Sequence, residues 1–190
     1  EATVTSSLTF TSANWDTAQT VTVTGADDDI IDGTITSTIT VSVNDGSSDN
    51  NFDSVSDQTV SVSTTDDDVA GFTIAETDSS TSVSESGTTD TFTIVLNAQP
   101  SSDVVLSISS GDTGESISNS PLTFTSANWD TAQTVTVTGV DDDLIDGAQT
   151  SSLTIAVIDA ISDDNFDAVS DQTVSVTTTD DDVAGFTITE

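Results

Sequence analysis

The chain reads as all-β, a tandem of seven-stranded antiparallel β-sandwiches. Three observations predict this. Apolar residues alternate with Thr and Ser at period two, as in Thr134-Val135-Thr136-Val137-Thr138, the pattern of strands with one dry and one wet face. No stretch carries a helical period. The third observation is a repeat: Leu8-Thr9-Phe10-Thr11-Ser12-Ala13-Asn14-Trp15-Asp16 returns at Leu122 to Asp130, a shift of 114 residues, and 56 of the 76 overlapping positions are identical. A period of that length matches a domain rather than a solenoid turn, so each copy can bury its own core.

The complete copy occupies residues 71–182. Its first strand is expected at Phe72 and Ile74, resuming at Val83 after the break Thr77-Asp78-Ser79-Ser80. The second carries Phe92, Ile94 and Leu96. After the turn residues Ala98-Gln99-Pro100-Ser101-Ser102 comes the third, with Val104, Leu106 and Ile108. Leu122 and Phe124 mark the fourth, Val135 and Val137 the fifth, Leu153, Ile155 and Val157 the sixth, and Val174 and Val176 the seventh. Seven short strands separated by turn signals make a sandwich of roughly 100 residues.

Residues 1–70 would hold only the C-terminal part of one sandwich, its last four strands, and residues 183–190 the first strand of a next repeat. A part-sandwich lacking three strands should fold poorly by itself unless a neighbouring chain supplies them. Glu1 aligns with Glu115, in mid-repeat, so the chain is expected to be a window on a longer array with any secretion signal upstream. Copies meet at Thr64-Thr65-Asp66-Asp67-Asp68-Val69-Ala70-Gly71-Phe72-Thr73-Ile74, which recurs almost unchanged at 178–188. Three acids close one copy, a small hinge follows, and a new strand begins.

The composition excludes several functions. With 34 acidic residues and no Lys, Arg or His, nothing can neutralise the phosphates of a nucleic acid or an anionic membrane surface. No Cys means no disulfide and no thiolate metal site, and no Lys means no Lys-Asn isopeptide staple. Only Asp, Glu, Ser and Thr could do chemistry. A two-carboxylate glycosidase is then the sole plausible reaction, and no pair stands apart from the acidic background, so no enzyme is expected. Trp15 and Trp129, each in Ser-Ala-Asn-Trp-Asp-Thr-Ala-Gln, read as plugs at a corner of the sandwich. The alternative is a glycan- or surface-binding module that uses these rings or the Thr-rich faces.

In an antiparallel sandwich the first, third, fifth and seventh strands point the same way, so the segments that follow them share a pole. That pole collects Glu85, then Asp112 and Glu115, then Asp141, Asp142, Asp143 and Asp146, then Asp180, Asp181 and Asp182. Two unit charges 4 Å apart repel by about 1 kcal/mol even at the dielectric of water. Ten carboxylates therefore need counter-charge that the chain does not contain. Ca²⁺ takes six to eight oxygen ligands in flexible geometry, whereas Zn²⁺ favours His or Cys, both absent. Asp163, Asp164 and Asp167 fall at the opposite pole, where a solvated surface is expected.

Val83-Ser84-Glu85-Ser86-Gly87, Leu122-Thr123-Phe124 with Trp129, Val135-Thr136-Val137-Thr138-Gly139-Val140-Asp141-Asp142-Asp143 and the closing Asp180-Asp181-Asp182 resemble the Calx-beta family, immunoglobulin-like sandwiches found in tandem in large bacterial surface and adhesin-type proteins. The resemblance implies calcium ligands at Glu85, Asp141, Asp142, Asp143, Asp146, Asp180, Asp181 and Asp182. In the partial copy it implies Asp27, Asp28, Asp29, Asp32, Asp66, Asp67 and Asp68, without a counterpart of Glu85. Asp112 and Glu115 align more loosely. The function implied is a calcium-rigidified structural repeat of a secreted adhesin stalk or extracellular fibre at the cell surface. Its partners would be neighbouring copies of the same repeat, in cis or in trans as a filament, with no membrane contact by this segment.

Overall fold

The computed structural model describes residues 2–5 and 7–189; Glu1 and Glu190, the outer ends of the expected segments 1–70 and 183–190, lie outside them. The chain divides into two compact units, Glu1–Asp67 and Asp68–Glu190.

Among its described residues the first unit has four strands. β1 (Ala2–Val4) pairs with β2 (Val23–Gly25), and β3 (Ile35–Val41) pairs with β4 (Gln58–Thr64), both antiparallel. None of its described residues is buried.

The second unit is a two-layer all-β sandwich. Its strands are β5 (Phe72–Glu76), β6 (Thr81–Ser84), β7 (Thr89–Leu96), β8 (Val104–Ser110), β9 (Ser116–Ser118), β10 (Leu122–Phe124), β11 (Gln133–Gly139), β12 (Gln149–Val157) and β13 (Gln172–Thr179). One sheet runs β5-β7-β11-β9 and the other β10-β8-β12-β13-β6. Period-two alternation turns Phe92, Ile94, Leu106, Phe124, Val135 and Leu153 into the space between them, where all are fully buried. Burying one such side chain is worth about 1.5–3 kcal/mol. Phe166, from the short 3-10 turn Asp164–Phe166, joins this core although no strand pattern marks it.

Seven expected strands become nine because one divides between the sheets and one more forms in an expected loop. The first divides into β5 and β6 at the expected break, where Asp78 (φ 54°) and Ser79 (φ 65°) take the left-handed conformation and send the chain across. The fourth is β10, and it is preceded by β9 in the other sheet, so the segment after Glu115, expected as loop, is partly strand. The crossing also modifies the antiparallel expectation: β6 lies parallel to β13, from Val176↔Thr81 to Thr179↔Ser84.

Partner strands decide where the repeated sequence folds. Leu122–Phe124 is a strand against β8, whereas the identical Leu8-Thr9-Phe10 forms none, since the first unit has no counterpart of β8. Residues 183–189, expected to open a further strand, likewise form none. Their counterpart β5 depends on β7.

Candidate metal centre

Four segments meet at one end of the second unit. The parallel pairing of β6 with β13 brings Glu85 to the end of β13, where its amide donates to the Thr179 carbonyl at 3.1 Å. Gly87 (φ 81°) reverses the chain, and the Thr88 carbonyl accepts from the Gly139 amide at 3.1 Å, which ties the turn to the end of β11. On the other side, the Glu115 carbonyl accepts from the Val140 amide at 3.0 Å and from the Thr178 hydroxyl at 3.2 Å. Glu85, Glu115, the loop after β11 and the end of β13 thus converge, as the strand directions require.

Glu85 is only 1% exposed, and both its carboxylate oxygens are buried without a hydrogen-bond partner. Glu115 Oε2 and Asp182 Oδ2 are in the same condition. One carboxylate oxygen each from Glu85, Asp180 and Asp182 lie within 4.8 Å of one another. Burial pushes the Glu85 carboxyl above the usual carboxylate range. Asp180, Asp142 and Asp146 push it further, while the nearby Asp181 amide, which makes no full hydrogen bond to it, offsets part of the effect. Glu115 is raised by burial and then by Asp146, Asp112, Asp142 and Asp180. Asp182 is raised by burial, then by Asp180, Asp143, Asp181 and Asp141.

Asp180 behaves in the opposite way. Its Oδ2 accepts from the Gly147 amide at 2.8 Å and its Oδ1 from the Asp182 amide at 2.7 Å, and these bonds hold its carboxyl below the usual range. They also tie the loop after β11 to the end of β13. Asp142 caps its own turn, accepting from the Leu144 amide at 2.7 Å, and Asp112 does the same for Gly114 at 3.0 Å. Asp141 and Asp181 line a cleft with Glu85, Ser86 and Gly87. Asp143 and Asp146 are exposed.

A carboxylate only accepts hydrogen bonds, so buried orphaned oxygens facing more carboxylates call for a proton or a cation. The chain has no basic side chain to offer. An all-oxygen donor set of this kind suits a hard divalent ion, Ca²⁺ above all, and offers none of the nitrogen or sulfur that softer metals prefer.

The first unit repeats the local turns but not the buried glutamate. The Asp32 and Gly33 amides donate to Asp66 Oδ2 at 3.0 and 2.7 Å, and the Ile30 amide to Asp28 Oδ1 at 3.0 Å. Asp27, Asp29 and Asp67 are exposed, and Asp68 belongs to the second unit. Among the described residues, Glu85, Asp180 and Asp182 form the candidate metal cluster.

At the other end of the strands, Asp163 departs from its expected solvated role. It is buried, and its Oδ2 accepts from the Ser101 amide (2.6 Å), the Ser101 hydroxyl (2.7 Å) and the Ser102 amide (2.9 Å). Asp164 and Asp167 stay exposed. Trp129 is half-buried, with its carbonyl accepting from the Leu96 amide at 3.1 Å, and Trp15 is exposed. Gly139, quoted above only as a letter of its motif, has no role legible in the sequence beyond its place at the end of an alternating run.

Fold and site together define a two-sheet all-β module with a buried acidic pole. No protein family and no curated protein matches the chain. Among solved structures it is similar to the apo-form Calx CBD1 domain, with 13% identity and a TM-score of 0.41 over 58% of this chain and 98% of that one. It is similar to the E. coli chaperone DraB, with 6% identity and a TM-score of 0.43 over 62% of this chain and 59% of that one. Domains 4 and 5 of the S-layer protein SbsC align at 18% identity and a TM-score of 0.36, over 64% of this chain and 52% of theirs.

Proposed function

We propose that the chain is a calcium-bridged structural repeat of an extracellular stalk or fibre, a spacer rather than an enzyme. The observation that carries this reading is Glu85: a carboxylate buried with both oxygens unpartnered, opposite Asp180 and Asp182, in a chain with no basic side chain. Glu85, Asp180 and Asp182 would hold the first ion, with Asp141 and Asp181 at the cleft. Glu115, Asp112, Asp142 and Asp146 extend the donor set. A bound cation neutralises these charges and bridges the β6 turn, the loop after β11 and the end of β13. Asp182 leads straight into Val183-Ala184-Gly185, so bridging at the pole stiffens the hinge out of the sandwich. Extracellular calcium modules bind at about 10⁻⁴ to 10⁻³ M, a range in which such a spacer would answer to its medium.

The test is thermal unfolding of the whole chain during calcium titration, with sodium chloride matched for ionic strength to separate binding from screening. A calcium-specific rise in Tm supports the reading. Equal effects of both salts up to about 10 mM calcium, well above that affinity range, would reduce the acids to a solvated coat.

A further inference from the structure

The second unit holds its entering strand from both layers. β5 lies at the edge of its sheet, beside β7, so the ladder secures it on one side. Its first residues are nonetheless sunk: Val69 is 73% exposed, whereas Gly71 and Phe72 are buried.

Two residues hold them there. The Asn97 amide, just past β7, donates to the Gly71 carbonyl at 2.9 Å, and Asn97 Oδ1 accepts from the Thr73 hydroxyl at 2.8 Å. The Asn97 carboxamide lies so close over Gly71 that a Cβ at that position would stand 2.8 Å from Nδ2. Gln172 opens β13 in the opposite sheet, and its Nε2 donates to the Phe72 carbonyl at 2.7 Å. Residues 71, 72 and 73 are thus bonded in turn. This is the end of the strands away from the acidic pole, since β13 runs from Gln172 here to Thr179 there. None of the three bonds uses a carboxylate, so none calls for a counter-ion.

The other side of the joint is tied differently. There Asp66 holds the chain, its carboxylate accepting from the Asp32 and Gly33 amides. Between the two ties lie Asp67, Asp68, Val69 and Ala70, outside any strand. We infer that Asn97 and Gln172 are positioning residues that clamp the entry of β5 without an ion. The play of the joint then lies in Asp67–Ala70, and a cation acts on it from the acidic side only. The clamp itself does not rest on the calcium reading.

The test follows amide exchange at Thr73 in the full chain, in calcium and in chelator, and Thr73 should exchange at one rate in both. Asn97→Ala combined with Gln172→Met, which keeps the reach of the side chain but not its donor, should speed that exchange about tenfold, the effect of losing two ordinary hydrogen bonds. Exchange in β11 should stay as in the wild type. Gly71→Ala keeps both side chains but pushes the Asn97 carboxamide aside, so it should speed Thr73 as well. Added to Asn97→Ala it should do nothing more, because the group it displaces is gone. Unchanged exchange at Thr73 in these variants would overturn the inference, and so would chelation alone loosening Thr73 as much as the double variant does. Exchange at Asp67–Ala70 that ignores calcium would count against the calcium reading and leave the clamp standing.

Discussion

The backbones of Gly139 and Ser84 are in direct contact. A Cβ on Gly139 would fall inside contact distance of the Ser84 carbonyl oxygen and 3.2 Å from its amide nitrogen. Ser84 immediately precedes Glu85, so this close approach sets how far the buried carboxylate reaches into the acidic pole. Gly139→Ala forces two backbones apart, and overpacking of this kind costs about 1–3 kcal/mol. Gly25, its counterpart, would meet only the Thr64 methyl at 3.4 Å. Urea unfolding should show a large fall for Gly139→Ala and almost none for Gly25→Ala.

Glu85→Gln makes a prediction of two opposite signs. Without calcium it removes a buried, uncompensated charge, so the variant should unfold at higher temperature than the wild type. With calcium it lacks the central ligand, so the Tm increment should shrink. For any site, a ligand at a hundredfold excess over Kd adds about 2.7 kcal/mol. Calorimetric titration of both proteins checks the second half. An undiminished calcium response in Glu85→Gln would move the ion elsewhere.

Stability should also depend on pH in a way calcium reverses. In calcium-free buffer Glu85, Glu115 and Asp182 titrate above the usual range, chiefly because they are buried. The folded chain therefore keeps protons that the unfolded chain releases. That contribution is fully present below the ordinary carboxylate pKa of about 4 and is lost as pH rises through the raised values. Urea midpoints should fall from pH 5 to pH 8 without calcium. In saturating calcium the order should invert, because protons then compete with the ion.

Asp163 supplies the opposite slope at lower pH. Burial opposes its charge, but hydrogen bonds from the Ser101 hydroxyl and from the Asn165, Ser102 and Ser101 amides outweigh burial and lower its pKa. Its contribution is present above about pH 4 and disappears as pH falls through the lowered value. Asp163→Ala strips acceptors from three donors on Ser101 and Ser102 and should cost about 2–4 kcal/mol. Because the residue lies far from the acidic pole, its calcium increment should match that of the wild type.

Much of this molecule was legible in one dimension. Alternation placed the apolar residues of all seven expected strands, because period two is a local property of a pleated chain with one dry face. Strand direction alone brought Glu85, Glu115, Asp142 and Asp180 to a common pole, since alternate antiparallel strands end together. Less legible was which carboxylate is buried. Glu85 and Asp143 differ little as letters in acidic loops, yet one is buried and the other exposed.

The repeat itself separates what sequence determines from what tertiary structure decides. The nine residues from Leu8 to Asp16 and from Leu122 to Asp130 are identical, so propensity, pattern and turn chemistry are identical too. Sequence determined that both stretches could form the same strand and corner. Only in the second unit does Leu122–Phe124 become a strand with Phe124 in the core, because β8 lies beside it. Hydrogen-bond partners and removal from water come from residues far along the chain, and nothing within nine letters can supply them.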